Sequence, residues 1–184
     1  MIKTLQISEK EAWDLAFNAL VNNNTSEDNA KEVADALISA EFDGQAGHGL
    51  SRIPSYVEQL TAGKVKGTEA PSIISSKGSV IRVDAKNGFA YPAISLALKE
   101  ITTACKKFGI AAASITRSHH FGQAGRHVEI LADNGLIGLM FGNTPKAIPP
   151  WGGTKALFGT NPIAFSAPRE NDAPMVIDMS LSKV

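Results

Sequence analysis

Two groups of residues in this sequence could move protons and hold anions. His48 and Arg52 stand four apart in Gly47-His48-Gly49-Leu50-Ser51-Arg52. An imidazole titrates near neutral pH and can give or take a proton, while a guanidinium grips a carboxylate through two parallel hydrogen bonds. The pair would suit a 2-oxo or 2-hydroxy acid; it would also serve as an exposed histidine beside an arginine in an ion-pair network. If the helix starting near Ser51 reaches back to them, the two side chains share a face about one turn apart. Gly47 and Gly49 are then expected to clear space around the ring.

The second group is Ser118-His119-His120-Phe121-Gly122-Gln123-Ala124-Gly125-Arg126. It lies between an apolar run at 110–116, which reads as a buried strand, and Val128, Leu131 and Ala132 at helical spacing. A strand-to-helix turn points unpaired N–H groups outward and can hold an anion such as a phosphate without a lysine. Gly122 and Gly125 would let a ligand approach the backbone. The plainer alternative makes Ser118 a helix cap and both histidines half-buried polar residues. Gly159-Thr160-Asn161-Pro162 is a third polar turn, able to orient a small substrate or simply to reverse the chain. A metal site is not expected, because His119 and His120 are adjacent and no HExxH or CxxC spacing occurs.

These residues need scaffolding, and the pattern supplies it. Ser8-Glu9-Lys10-Glu11 has capping-box spacing and opens a helix to Leu20. After Ser26, the residues Ala30, Val33, Ala34, Leu37, Ile38 and Phe42 form one apolar stripe ended by Gly44. Ile53, Val57 and Leu60 mark a third helix from about Ser51, with Pro54 in its first turn and Gly63 after it. A strand at 79–84, the turn Asn87-Gly88, a helix at 92–108 and Gly109 follow. Strand 110–116, a helix to Asn134, strand 136–141, a long loop at 144–158 and short strands at 163–167 and 175–177 complete the chain. The strand–helix–strand rhythm predicts α/β architecture, with a helical N-terminal part over 1–70 and an α/β part over 71–184. No helix follows Asp178-Met179-Ser180 to cover the last strand, which suggests part of a longer chain.

Composition narrows the function. Of 184 residues, 18 are basic and 18 acidic, so no basic face marks a nucleic-acid partner. Hydrophobic residues at 43% and charged ones at 20% describe an ordinary soluble protein without a membrane-length apolar run or a signal peptide, expected in the cytoplasm. Cys105 is the only cysteine and falls in a helical pattern, where core packing is the expected role.

Five motifs occur in order: Gly47-His48-Gly49-Leu50-Ser51-Arg52 with Tyr56, Asn87-Gly88-Phe89-Ala90, Ser118-His119-His120-Phe121-Gly122, Gly159-Thr160-Asn161-Pro162 and Ile177-Asp178-Met179-Ser180. Together they resemble the malate/L-lactate dehydrogenase-like oxidoreductases, which also include sulfolactate, ureidoglycolate and diketogulonate dehydrogenases or reductases and the piperideine-2-carboxylate reductases. The resemblance implies a three-layer α/β/α domain with a mixed, non-Rossmann sheet, incomplete here at the C-terminus. It implies a homodimer using NADH or NADPH to interconvert a small 2-oxo acid and 2-hydroxy acid, or to reduce a cyclic imino acid. His48 resembles the proton donor and acceptor, Arg52 the carboxylate anchor, and Thr160 and His120 substrate contacts. His120, Phe121, Gly122, Gln123 and Ala124 resemble the segment lining the nicotinamide cofactor, and Asp178, Met179 and Ser180 a second cofactor contact. Gly47 stands where the family often has serine, and His119 where it often has asparagine. A truncated, non-catalytic product limited to folding, dimerisation or binding is the competing expectation.

Overall fold

The capping box forms as its spacing predicts. Glu11 N–H donates to Ser8 Oγ, and Ser8 N–H donates to the Glu11 carboxylate at 2.8 Å, which starts α1 (Glu9–Val21). Ser26 caps α2 (Glu27–Phe42) through one such bond, its Oγ accepting the Asn29 N–H. The stripe of α2 is buried at Ala30, Val33, Ala34, Leu37 and Ile38, but Phe42 is 69% exposed because it is the last helical residue. Of these, Ala30, Val33 and Leu37 meet Leu20, Tyr56 of α3 (Ile53–Thr61), Val65, Phe89 and Tyr91 in one core. Each fully buried Leu or Val there contributes about 1.5–3 kcal/mol.

The computed structural model describes residues 6–180, which divide into one compact unit ending at Gly122 and another beginning at Gln123. In the first, β1 (Ser72–Lys77) and β2 (Val80–Asp84) make an antiparallel hairpin turned at Gly78, whose φ is +60°. Helix α4 (Ala90–Phe108) closes at left-handed Gly109 and returns the chain to β3 (Ala112–Thr116), parallel to β2. The result is a mixed sheet of order β1-β2-β3. Ile81 and Val83 of β2 pack on Ala93, Ala97 and Ala104 of α4. Helix α4 therefore carries Tyr91 in the helical core and its alanine face on the sheet, which joins the two.

Three details depart from the sequence pattern. The edge strand β1 was not expected, since Ser-Ile-Ile-Ser-Ser-Lys shows no alternation and is held by pairing with β2. Strand β3 lies at the other edge and is largely exposed, with only Ile115 packing inward. Cys105 is half-buried in the last turn of α4, outside the core cluster, with Sγ 3.5 Å from the Gly109 carbonyl.

The second unit pairs β4 (Gly138–Phe141), β5 (Ile163–Arg169) and β6 (Asp172–Met179) antiparallel in that order under α5 (Ala124–Asp133). Ser166 Oγ is buried and donates to the Val128 carbonyl of α5 at 2.5 Å. A Cβ at Gly138 would stand 2.7 Å from that hydroxyl oxygen, so the position admits no side chain. The opposite sheet face is apolar in rows, Leu139 beside Phe165 and Ile177, then Phe141 beside Ile163 and Met179. Phe141 is 71% exposed on it. Among the described residues no helix is long and apolar enough to cross a membrane.

Candidate functional site

His48 and Arg52 do not share an α-helical face, because α3 begins only at Ile53. They close two successive 3-10 turns, Ala46–His48 and Leu50–Arg52, joined at Gly49. The end of α2 holds this double turn: Glu41 Oε1 accepts the Leu50 N–H at 2.7 Å. A Cβ on Gly49 would come within 2.8 Å of three Glu41 side-chain atoms. Gly49 therefore makes room for Glu41 rather than for the His48 ring, and Gly47 has open space beside it. Arg52 Nε donates to the Gly47 carbonyl at 2.5 Å, and among the described residues no carboxylate pairs with its guanidinium.

Three of the chain's four histidines gather in this unit. The ring of His120 lies 5.8 Å from that of His48 at an interplanar angle of 10°, and 6.1 Å from Phe121 at 16°, so three nearly parallel rings stand together. His120 Nδ1 is 2.8 Å from the Tyr56 hydroxyl, which lies 3.0 Å from the Tyr91 hydroxyl. The Gly122 N–H also donates to Nδ1, at 3.3 Å. His119 Nε2 is 2.8 Å from Gln59 Oε1, an acceptor only, so His119 carries its proton on Nε2; its Nδ1 is buried without a partner.

Burial sets the charges here. It pushes His119 down to about 4, helped by Lys64. Burial also pushes His120 down to about 4, with further lowering from Arg52, His48 and His119. Tyr56 is pushed up to about 12, chiefly by burial. At neutral pH both histidines are thus neutral and Tyr56 keeps its proton.

The histidine segment is held at both ends. Arg117, at φ +54°, donates from Nε to Asp84 Oδ1 at 2.9 Å and pairs with Oδ2 through Nη2. The Arg117 hydrogen bonds hold the Asp84 carboxyl below its usual range. His119 N–H donates to the Gly88 carbonyl at 3.1 Å, which ties the histidines to the Asn87-Gly88 turn. Gly122 has φ +67°, and its Cβ position lies 2.5 Å from the Tyr91 hydroxyl oxygen. Its open side admits Tyr91 rather than a ligand.

In the second unit one donor at the start of the helix, where an anion was expected, meets a carboxylate of the chain itself. Helix α5 begins at Ala124, its N-cap is Gln123 rather than Ser118, and the Gly125 N–H donates to Asp178 Oδ2 at 2.7 Å. A Cβ on Gly125 would meet Asp178 and Val176 at 3.2 Å. The chain's own carboxylate thus takes the Gly125 N–H, one of the helix-start donors expected to face an anion. Thr160 is positioned by Thr144, whose hydroxyl lies 3.1 Å from the Thr160 hydroxyl and accepts the Asn161 N–H at 3.2 Å. Ser180 Oγ is 3.4 Å from the Thr160 carbonyl.

The structure therefore brings His48, Arg52, His120 and Phe121 into the first unit, and Thr160, Asp178, Met179 and Ser180 into the second. Sequence reasoning missed Tyr91, Gln59 and Thr144, and gave Tyr56 no role. One signal was available: the chain has only two tyrosines, and both are buried here. Among the described residues no group of three His, Cys, Asp or Glu is placed to hold a metal.

Residues 7–184 match the family model for malate/L-lactate dehydrogenase, and the chain belongs to that family. It is 48% identical over 178 residues to a (2R)-3-sulfolactate dehydrogenase (NADP(+)) of Chromohalobacter salexigens, covering 97% of this chain and 53% of that protein. The crystal structure of delta1-piperideine-2-carboxylate reductase from Pseudomonas syringae is 37% identical with a TM-score of 0.93, over 98% of this chain and 55% of the other. Malate dehydrogenase from Entamoeba histolytica is 28% identical with a TM-score of 0.92, over 98% and 50%. The chain spans about half the length of the curated relatives it matches.

Proposed function

We propose, from membership of the malate/L-lactate dehydrogenase family together with the histidine–arginine geometry, that this chain supplies acid–base and carboxylate-binding groups for an oxidoreductase. The reaction is hydride transfer between NADH or NADPH and a small 2-oxo acid/2-hydroxy acid pair or a cyclic imino acid. The relatives support this class, since their names pair a sulfolactate or a ring carboxylate with dehydrogenase or reductase chemistry. The observation that carries the reading is Arg52. Its Nε is pinned to the Gly47 carbonyl while no carboxylate among the described residues claims the guanidinium, and its charge is felt at His120. A fixed, uncommitted guanidinium beside imidazoles is what an anionic oxo acid requires.

The nicotinamide cofactor supplies the hydride when bound. The nearly parallel rings of His48, His120 and Phe121 fit a flat heteroaromatic neighbour, whereas the first turn of α5 does not offer Gly125 N–H to a cofactor phosphate. In this reading Arg52 holds the substrate carboxylate, His48 gives a proton to the developing alkoxide or amine, and His120 donates a hydrogen bond. Thr160 is a further substrate contact, and Phe121, Gln123, Ala124, Met179 and Ser180 border the cofactor. Gly122 and Asp178 contribute through the contacts they make with Tyr91 and Gly125. We place the enzyme in the cytoplasm and, as the family resemblance implies, as a homodimer.

The test assays this chain, and a form extended to the relatives' length, for loss of reduced-nicotinamide absorbance with a panel of 2-oxo acids and cyclic imines. Turnover with one cofactor and one substrate class is expected from the extended form, and silence across the panel overturns the proposal. Within an active form, His48→Ala should lower kcat by roughly 10²–10⁴-fold while Arg52→Ala mainly raises KM.

A further inference from the structure

The protein donors around His120 determine which of its nitrogens carries the proton. The Gly122 backbone N–H can only donate, and it points at Nδ1 from 3.3 Å. Nδ1 must therefore be an acceptor, since an N–H there would face another N–H head to head. The Tyr56 hydroxyl, 2.8 Å from the same nitrogen, is then the second donor. Having given its one proton to His120, Tyr56 can only accept from Tyr91 across their 3.0 Å contact. Donation thus runs from Tyr91 to Tyr56 to His120 Nδ1, and the imidazole proton is left on Nε2. Each bond in such a chain polarises the next.

Other features of the site agree with this direction. Tyr56 keeps its proton over the whole physiological range, because burial pushes it to about 12. His120 stays neutral under burial and the charges of Arg52, His48 and His119 around it. Gly122 enters twice, because its φ of +67° accompanies the N–H it directs at His120, and its missing side chain admits the Tyr91 hydroxyl.

We propose that Tyr56, oriented by Tyr91, is a positioning residue that works with the Gly122 N–H to hold His120 as its Nε2–H tautomer, so that this histidine meets an acceptor oxygen as a neutral donor. That the oxygen belongs to an oxo acid or to a nicotinamide carboxamide rests on the function proposed above; the tautomer does not. Reversing the donor chain would place the proton on Nδ1 and present a lone pair at Nε2, which would repel either oxygen.

The test is imidazole ¹⁵N–¹H correlation spectroscopy on the 184-residue chain, with His120 assigned by its loss in His120→Gln. We expect one set of His120 signals of the Nε2–H type, unchanged between about pH 8 and pH 6, in the range where an unperturbed histidine would titrate. In Tyr56→Phe the Gly122 N–H remains on Nδ1, so the Nε2–H type should hold while the Nδ1 resonance moves because its shorter hydrogen bond is lost. In Tyr91→Phe the Tyr56 donor survives, so a smaller shift in the same direction is expected. A wild-type His120 of the Nδ1–H type, or charged at neutral pH, overturns the inference whatever the variants do. So does a Tyr56→Phe protein that is folded by its amide spectrum yet shows an unshifted His120. A silent substrate panel with the expected tautomer present would instead remove the functional reading and leave this one standing.

Discussion

Replacing Gly122 with alanine tests the packing of the candidate site most directly. The new methyl group would stand 2.5 Å from the Tyr91 hydroxyl oxygen, with two ring carbons at 3.1 and 3.2 Å, on a backbone at φ +67°. The backbone part alone costs about 1–2 kcal/mol for a residue with a Cβ in the left-handed region. Forcing an extra methyl group into a filled space adds typically 1–3 kcal/mol. Tyr91 is itself 2% exposed in the helical core and cannot swing out freely. The total expected loss is therefore about 2–5 kcal/mol, a large share of a domain's usual margin of about 5–15 kcal/mol. Gly78→Ala isolates the backbone part, since Gly78 has φ +60° with nothing within 4 Å of its Cβ position. Urea unfolding followed at the helical circular-dichroism band reads mainly the first unit, which holds four of the five described α-helices. Gly122→Ala should lose more than Gly78→Ala, and Tyr91→Phe added to Gly122→Ala should recover part of the difference by removing the closest atom. Equal losses for the two alanine variants would show that Tyr91 does not fill that space.

Acid should weaken the first unit through its two buried histidines. His119 and His120 are held neutral at about 4, below the ordinary histidine value of about 6.5, so unfolded chains take up protons that the folded unit refuses. Their contribution is fully present above about pH 6.5 and lost as pH falls toward 4; urea midpoints at pH 7.5 and 4.5 should differ less in His119→Gln than in wild type. In the second unit, Asp178→Ala removes the carboxylate from the Gly125 N–H and should cost about 1.5–3 kcal/mol, with Asp178→Asn intermediate. Amide exchange at Gly125 checks it, and protection unchanged in Asp178→Ala would refute the assignment.

What the sequence determined by itself is local or periodic. Ser8 and Ser26 cap helices because a side-chain oxygen and the N–H three residues on are neighbours by covalent geometry alone. The stripe of α2 is legible because helical period converts spacing into a face, and Gly109 because a helix end needs a left-handed residue. The family was legible for a similar reason, as its motifs are short contiguous words. The tertiary structure decided who fills each space and which atom donates. Gly122 belongs to Tyr91, Gly49 to Glu41 and Gly125 to Asp178, and none of these partners has a spacing that any secondary-structure period would reveal. Tyr56 reaches His120 across 64 residues and Tyr91 across 35, while Asp178 reaches the start of α5 across 53. Residues so far apart in sequence meet only when packed elements bring them together, so the proton position on His120 and the carboxylate on the Gly125 N–H are properties of packing rather than pattern.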